Sequence, residues 1–257
     1  MQDEELLRYS RQIMLPEMDV AGQQALLDAS VLIVGMGGLG SPAAMYLAAA
    51  GVGHLLLADD DTVDLSNLQR QIVHGQDSIG LPKVESAAAT LRRLNPHVRI
   101  TSLQQRLTEA DLEALLPGVS LVLDACDNFS TRFALNAASV RHRVPLVSGA
   151  AIRMEGQVTV FDPRQTASPC YHCLYRQGDD EQASCARNGV MAPVVGIIGA
   201  VQAMEAIKLL AGVGEPLTGR LLLLDAATMQ WRSLRLPRDP ACPVCAAAAG
   251  AGAVLRY

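Results

Sequence analysis

The chain of 257 residues has few aromatic side chains and no excess of positive charge. Phe, Trp and Tyr make up 4% of the residues, and the formal net charge at pH 7 is −5. Proteins bind bulk nucleic acid mainly through Lys and Arg on phosphate groups, so an acidic chain is poorly suited to it. We therefore expect no nucleic acid among its partners.

The sequence also lacks long apolar runs and a targeting segment. The longest nearly uncharged stretch, residues 190–204, is shorter than the roughly 20 residues that span a bilayer, and Glu205 and Lys208 interrupt its continuation. Residues 1–12 are charged from the start, unlike a signal peptide. We therefore expect a cytoplasmic protein without a membrane partner, whose cysteines bind metal rather than form disulfides.

Residues 30–61 have the pattern of a nucleotide-binding unit. A β-branched run at 31–34 precedes G-x-G-x-x-G, a helical stretch at 43–50 follows, and a second apolar run at 54–58 ends at Asp59. Glycines let the backbone approach a phosphate, and the helix N-terminus offers free N–H donors. Asp59 would accept hydrogen bonds from ribose hydroxyls. The predicted phosphate-binding glycines are Gly35, Gly37, Gly38 and Gly40.

Polar residues follow this unit at the predicted carboxyl end of the sheet, where open α/β folds bind ligands. Asn67, Arg70 and Gln71 are candidates to face a nucleotide. Lys83 precedes a predicted helix over 84–94, where a lysine opposes the helix dipole unless a phosphate is bound. The alternative is an ordinary solvent-exposed lysine.

Asp127 follows another predicted strand, at 121–124. A carboxylate there is a plausible ligand for Mg²⁺, which combines one or two carboxylates with phosphate oxygens and water. Alternatively, Asp127 caps the helix predicted over 130–140. The two roles are compatible.

Two C-x-x-C pairs are typical of a tetrahedral zinc site. Four thiolates leave no open coordination position, so we expect a structural zinc that attaches the C-terminal part to the middle of the chain, with His172 as a bystander. The remaining cysteines are Cys126, expected to be buried and inert, and Cys185, a reactive or a silent thiol in a polar loop. The four expected zinc ligands are Cys170, Cys173, Cys242 and Cys245.

The remaining pattern predicts an α/β fold, namely a Rossmann-like doubly wound and mostly parallel sheet. Residues 157–161 are typical of an antiparallel extension. The other expected strands lie at 99–104, 145–147 and 221–224, and the other helices at 2–28, 109–116 and 191–210.

The order of these motifs resembles that of the ubiquitin-activating-like adenylyltransferases. Within this family, residues 147–157 and 191–199 are most similar to the molybdopterin-pathway branch, with the thiamine-pathway branch as its neighbour. The similarity covers nearly the whole chain and ends before the alanine-rich tail. The motifs are G-x-G-G-x-G, Asp59-x-Asp61, Ser66-Asn67-Leu68-x-Arg70-Gln71, Pro82-Lys83, Asp127-Asn128 and the two C-x-x-C pairs.

The resemblance implies ATP-dependent adenylylation of the C-terminal Gly-Gly carboxylate of a ubiquitin-fold sulfur carrier, such as the small subunit of molybdopterin synthase. The products are an acyl-adenylate and pyrophosphate. It implies that Arg70 and Lys83 hold the triphosphate, Asp127 holds Mg²⁺, Asp59 binds ribose and Asn67 places the phosphates. It also assigns Asp61, Gln71 and the four glycines to the nucleotide site. No general base is needed, because a carboxylate is already an anion at neutral pH.

The resemblance further implies a homodimer in which Arg11 reaches the partner's ATP site. In some relatives the counterpart of Cys185 forms a thioester or persulfide. We expect one adenylating domain over 1–245 and a loose tail over 246–257; the chain is too short for the rhodanese-like domain of some relatives. Within the domain, 1–28 is a helical arm, 31–150 binds nucleotide and 151–245 binds the carrier and zinc.

Two other classes share part of this pattern. An NAD-dependent oxidoreductase would have the same glycine motif, but the sequence offers no evident catalytic His or Tyr-x-x-x-Lys pair. A non-catalytic zinc-containing scaffold would not need Arg70 or Asp127, and both are present. The sequence leaves open which sulfur carrier is activated.

Overall fold

In a computed structural model, the chain forms one mixed α/β sheet with helices on both faces. The structure describes residues 1–176 and 189–246. Over these residues the sheet has eight strands in the order β3-β2-β1-β4-β5-β6-β7-β8. The strands are β1 (Ser30–Val34), β2 (His54–Ala58), β3 (Arg99–Leu103), β4 (Leu121–Asp124), β5 (Leu146–Ile152), β6 (Glu155–Phe161), β7 (Arg220–Asp225) and β8 (Gln230–Arg235).

Helices cover both faces of the sheet in the described part of the chain. The described α-helices are α1 (Asp3–Arg8), α2 (Ser10–Ile13), α3 (Asp19–Asp28), α4 (Gly40–Ala50), α5 (Lys83–Leu94), α6 (Glu109–Leu115), α7 (Phe129–His142), α8 (Tyr171–Leu174) and α9 (Ala192–Ala211). Short 3₁₀ turns lie at Leu65–Asn67, Gln76–Ser78 and Leu116–Gly118.

The central strand β1 explains why the first sequence motif is so apolar. Its residues alternate between two cores: Val31 and Ile33 pack on one face of the sheet, and Leu32 and Val34 on the other. It pairs in parallel with β2 and β4, and β3 and β5 continue the parallel part. A strand buried on both faces requires a continuous apolar run. The predicted mostly parallel sheet is confirmed.

The antiparallel extension is also confirmed and is larger than predicted. The strands β6, β7 and β8 each pair antiparallel with the strand before them in the sheet. The strand predicted at 145–147 continues to Ile152 and crosses the expected boundary between the nucleotide part and the carrier part. All six residues of β8 are exposed. Without a buried face it has no clear apolar alternation, and the sequence analysis missed it.

The longest helix, α9, lies across the sheet and packs against α4, β5, β6 and α3. Its 20 residues are long and apolar enough to cross a membrane, by length and composition only. Lys208 and Glu205, which were expected to interrupt the apolar stretch, instead form an ion pair within the helix, with Nζ and Oε1 2.5 Å apart. Glu205 also accepts a hydrogen bond from the Leu217 backbone N–H. In this fold α9 is a core helix.

The N-terminal region is three short helices rather than one. The break between α1 and α2 falls at Tyr9, which is 2% exposed and whose hydroxyl accepts a hydrogen bond from Asn95 Nδ2 at 2.8 Å. Around this anchor, large apolar side chains face outward, including Leu7, Met14 and Leu15. Gln12 also donates to the Ala50 carbonyl oxygen at 3.1 Å, so the arm is held against the fold while it presents an apolar surface.

Two glycines of α9 provide a matched test of this packing. A Cβ at Gly199 would lie 2.4 Å from the Leu39 carbonyl oxygen and 2.6 Å from Pro42 Cγ, whereas one at Gly196 would meet nothing within 4 Å. We expect Gly199→Ala to lower the free energy of unfolding by about 1–3 kcal/mol through overpacking. Gly196→Ala should raise it by about 0.5–1 kcal/mol, because alanine has the better helix propensity. Urea denaturation measures both, and equal effects at the two positions would contradict this packing.

Candidate nucleotide and adenylation site

A cavity of about 710 Å³ lies at the carboxyl ends of the parallel strands. The glycine turn, the segment after β2, the start of α5 and the loop after β4 all contribute to its walls. The sequence-predicted residues that line it are Gly35, Gly37, Gly38, Asp59, Asp61, Arg70, Gln71, Lys83 and Asp127. The sheet topology therefore brings together residues from four separate segments, at the edge where open α/β sheets bind ligands.

The glycine turn is folded so tightly that side chains are excluded from it. Gly35 has φ +94°, and a Cβ there would lie 2.6 Å from the Ala125 carbonyl oxygen. A Cβ at Gly40 would lie 1.9 Å from the Gly35 carbonyl oxygen. Gly40 thus serves the packing of the turn and is not among the residues that line the cavity, whereas Gly37 and Gly38 are. The turn brings backbone rather than side chains to the cavity.

Asp59 joins the end of β2 to this turn. Its Oδ2 accepts a hydrogen bond from the Met36 N–H at 2.7 Å, and its Oδ1 accepts one from the Asp61 N–H at 2.9 Å. Burial raises the pKa of Asp59, while Lys83 and the two N–H donors act in the opposite direction. Each carboxylate oxygen keeps a free lone pair for a ribose hydroxyl.

Lys83 is not the solvent-exposed lysine of the alternative reading. It is 6% exposed, and its Nζ lies 2.7 Å from Asp61 Oδ2. Asp61 itself is largely exposed, so this carboxylate partly compensates a nearly buried ammonium group. A phosphate in the cavity could take the same partner role.

The other residues of the segment after β2 differ in their surroundings. Arg70 is half-buried, and its Nη1 donates to the Ser66 carbonyl oxygen at 3.0 Å. Gln71 is buried, and its Oε1 has no hydrogen-bond partner among the described residues. Asn67 accepts from the Asp64 N–H at 3.1 Å and is not part of the cavity wall. Arg70 and Gln71 are therefore the members of this motif that the fold presents to a ligand.

Asp127 lies exposed after β4, and the helix that follows is capped by its neighbour. Asn128 Oδ1 accepts from the Thr131 N–H at 2.9 Å. The alternative that Asp127 caps this helix is therefore wrong. Its carboxylate remains directed to the cavity region, where it has the ligand chemistry that Mg²⁺ prefers.

A buried arginine that the sequence analysis did not consider supports the same loop. Arg132 Nη2 donates to the carbonyl oxygens of Cys126 at 2.6 Å and Gly149 at 2.9 Å, and Nε lies 3.8 Å from Asp124 Oδ2. Burial opposes its charge, but Asp124 keeps the pKa of Arg132 above its ordinary value. Helical spacing alone could not identify it, because its partners lie on two different strands.

Cys126 is buried as expected. Burial, followed by the nearby Asp124 carboxylate, raises the pKa of its thiol well above the ordinary value. A thiol that stays protonated is a poor nucleophile. The predicted inert role is in line with this environment.

Aromatic side chains form the other end of the cavity. Phe129, Tyr171 and Tyr175 line it, and Tyr175 exchanges hydrogen bonds with the Gln157 side chain at 2.8 and 3.1 Å. Tyr171 is buried in the core on one face of the sheet, and Phe129 and Tyr175 pack against that core, so the aromatic wall is rigidly supported. Sequence spacing does not predict this aromatic wall, because Phe129 lies far from Tyr171 and Tyr175 in the chain.

The four cysteines of the two C-x-x-C pairs come together beside this aromatic end. Their sulfur atoms all lie within 4.8 Å of one another, with Cys170 and Cys242 Sγ 3.6 Å apart and Cys173 and Cys245 Sγ also 3.6 Å apart. Four clustered thiols suit a tetrahedral zinc ion. His172 is not a member of the group and packs against Phe133.

Besides Gly40 and Asn67, the described part of the structure does not place Arg11 or Cys185 in the cavity wall. Arg11 is exposed on α2 and is not in the cavity wall, with Met14 Sδ 3.9 Å from its Nη1. Cys185 lies outside the described residues, as does the predicted tail beyond Ala246. The roles of both residues stay predictions.

Residues 9–244 match the sequence profile of the ThiF family. The chain belongs to the ThiF family. It is 54% identical over 243 residues to the molybdopterin-synthase adenylyltransferase of Escherichia coli, covering 95% of this chain and 97% of that protein. It is 48% identical over 245 residues to the E. coli sulfur carrier protein ThiS adenylyltransferase, with the same two coverages.

The solved structure of E. coli MccB with ATP has a similar fold, with a TM-score of 0.81 at 25% identity. The match covers 93% of this chain and 73% of that chain. Because the named sequence relatives of this ThiF-family chain are adenylyltransferases, the predicted resemblance to that family is confirmed.

The cysteine cluster predicts that the purified protein contains zinc. Elemental analysis of the purified protein should find one zinc ion per chain, and Cys170→Ser should lose it, because three thiolates hold zinc much less tightly than four. Cys126→Ala is the matched control, since this buried cysteine lies outside the cluster, and it should retain the metal. Zinc-free wild-type protein, or equal zinc in Cys170→Ser, would contradict the assignment.

Proposed function

We propose that this ThiF-family protein uses ATP and Mg²⁺ to adenylylate the C-terminal Gly-Gly carboxylate of a ubiquitin-fold sulfur carrier. The small subunit of molybdopterin synthase is the favoured carrier, and a thiamine-pathway or other thiolation carrier is the alternative. One observation carries the proposal: a single cavity joins the glycine turn to Arg70, Lys83 and Asp127. A chain 54% identical to a molybdopterin-synthase adenylyltransferase supports the favoured carrier.

The reaction joins two anions, so the site must supply positive charge that water does not screen. Lys83 is nearly buried, and a triphosphate would replace or share its partner Asp61. Arg70, whose Nη1 donates to the Ser66 carbonyl oxygen, lines the cavity and would contact the phosphates and stabilise charge on the leaving pyrophosphate. Mg²⁺ held by Asp127 would neutralise phosphate oxygens. Catalysis is then positioning and electrostatics.

The other nucleotide contacts divide between backbone and side chains. Gly37 and Gly38 bring peptide groups to the phosphates, and Asp59 accepts from the ribose. The unpartnered Gln71 Oε1 suits a donor or cation of the bound complex. Asn67 acts indirectly in this scheme, by fixing the turn that leads to Arg70.

A carrier tail would enter at the aromatic end of the cavity. Tyr171, Tyr175 and Gln157 line this part of the cavity, and Gln157 lies on β6, three positions along the sheet from the β1 strand that leads into the glycine turn. A Gly-Gly tail has no side chains to clash with these walls, and its carboxylate would meet the α-phosphate between the two ends. The Cys185 thiolate could then attack the carbonyl carbon of the acyl-adenylate and release AMP, which would leave the carrier bound to the enzyme as a thioester.

We further propose a homodimer in the cytoplasm, with Arg11 of one subunit completing the site of the other. Leu7, Met14 and Leu15 are 77%, 70% and 55% exposed around this arginine. Apolar side chains this close together on a surface arm are suited to a subunit contact. A partner would bury them and carry Arg11 toward the second cavity.

The reaction and the carrier are tested together by intact-mass measurement. The enzyme is incubated with ATP, Mg²⁺ and either the molybdopterin-synthase small subunit or a thiamine-type carrier. We expect an adenylyl mass gain on the first, and none when its tail ends in Gly-Ala. A mass gain on the thiamine-type carrier alone would replace the favoured carrier by the thiamine-pathway one. ATP binding with no mass gain on either carrier would contradict the proposed adenylylation.

The trans role of Arg11 is tested by complementation. Arg11→Ala and Asp127→Ala should each lower adenylate formation at least about 100-fold, by loss of charge stabilisation at the reacting phosphates. Mixed dimers of the two variants contain one intact site and should regain a substantial fraction of activity. Asp77→Ala, an exposed acid outside the cavity wall, is the control. Mixed dimers as inactive as their parents would contradict the trans arrangement.

A further inference from the structure

His74 is a buried titratable residue that the proposed mechanism leaves without a role. It is 7% exposed and lies between the Arg70–Gln71 segment and α5. Its Nε2 lies 3.0 Å from the Met36 carbonyl oxygen, and its Nδ1 lies 2.9 Å from Ser86 Oγ. Both ring nitrogens are therefore used inside the protein.

The partners of the ring define its tautomer. A carbonyl oxygen can only accept, so the proton on the neutral ring is on Nε2, and Nδ1 accepts from the Ser86 hydroxyl. Burial lowers the pKa of His74, against the hydrogen bond to Met36, and this favours the neutral ring. His74 thus acts as a donor to the glycine turn.

Both the backbone N–H and the backbone carbonyl of Met36 form hydrogen bonds with side chains. Its N–H donates to Asp59 at 2.7 Å, and its carbonyl accepts from His74. In a trans peptide the carbonyl and the next N–H point in opposite directions. Gly37 N–H therefore points away from His74. Gly37 is part of the cavity wall and His74 is not, which favours an N–H directed to the cavity side.

The same histidine connects the three segments that supply the phosphate site. His74 lies three residues after Gln71. It contacts the glycine turn through Met36, and it contacts α5 through Ser86, which lies one helical turn after Lys83. Replacing its ring would therefore change the position of all three segments. No other residue among those described has side-chain hydrogen bonds that join the glycine turn directly to α5.

We propose that His74 is a positioning residue of the adenylation site, which aims the Gly37 N–H at the phosphates of the bound nucleotide by holding the Met36 carbonyl. The inference rests on the proposed function only for the identity of the nucleotide. It concerns binding of the polyphosphate and makes no claim about the carrier.

The test compares ATP with adenosine, which lacks the phosphates. Affinities are measured by displacement of a fluorescent ATP analogue from the full chain. His74→Phe keeps a flat ring but has no donor, so it should bind ATP about 10-fold more weakly and adenosine within twofold of wild type. The kcat for adenylate formation should fall roughly 10- to 100-fold, with the KM for the carrier unchanged.

Two further variants separate positioning from folding. His74→Gln places an amide N–H near the position of Nε2 and should recover most of the ATP affinity lost in His74→Phe. Thr90→Val removes a different anchor of the same segment, the hydrogen bond from Thr90 Oγ1 to the Val73 carbonyl at 2.8 Å. It does not touch Met36 and should bind ATP as wild type does.

Each outcome decides the inference. Wild-type ATP affinity in His74→Phe would overturn it, and so would an equal loss of ATP and adenosine affinity, or a His74→Gln variant as weak as His74→Phe. If the selective loss of ATP affinity is found but the wild-type enzyme adenylylates no carrier, the role of His74 stands and the proposed function fails.

Discussion

The site depends on how closely the turn between β1 and α4 folds on itself and on its neighbours. Gly40 approaches the Gly35 carbonyl at a distance that leaves no room for a methyl group, and Gly199 of α9 also packs too closely on the Leu39 carbonyl to admit one. These contacts join the central strand, α4 and the core helix α9 mainly through backbone atoms, with the Pro42 side chain beside Gly199. Backbone contacts tolerate little adjustment, so the turn offers its peptide groups in one fixed arrangement.

The cations of the site are stabilised before any nucleotide arrives. Lys83 is paired with Asp61 and Arg132 with Asp124, and both cationic side chains are nearly buried. The two pairs differ in what they can do next. Asp61 is exposed and can release Lys83 to a phosphate, whereas Asp124 is buried and also accepts from Ser148 and Cys126, so Arg132 stays in place. One pair is therefore exchangeable and the other is part of the scaffold.

The sequence predicted the elements whose signal is local. The strand at His54–Ala58 and the start of the antiparallel extension followed from apolar runs and motif spacing. Arg132 and His74 could not be recognised in this way, because each is defined by acceptors brought close only by the sheet topology. The capping role went to Asn128 rather than Asp127, since a shift of one residue in the helix start is below what spacing resolves.

The cluster of four cysteines affects the cavity that lies beside it. Tyr171 lies between Cys170 and Cys173 of the cysteine cluster, its backbone N–H donates to Asn136 Oδ1 of α7 at 2.8 Å, and it lines the aromatic end of the cavity. The residue that would border a carrier tail is thus positioned by the same turn that would coordinate a metal ion. The two binding events would then be thermodynamically linked. If a bound metal ion places Tyr171 where a ligand binds more tightly, that ligand must raise the affinity for the metal by the same factor. The structural ion and the substrate would be partners in one binding equilibrium.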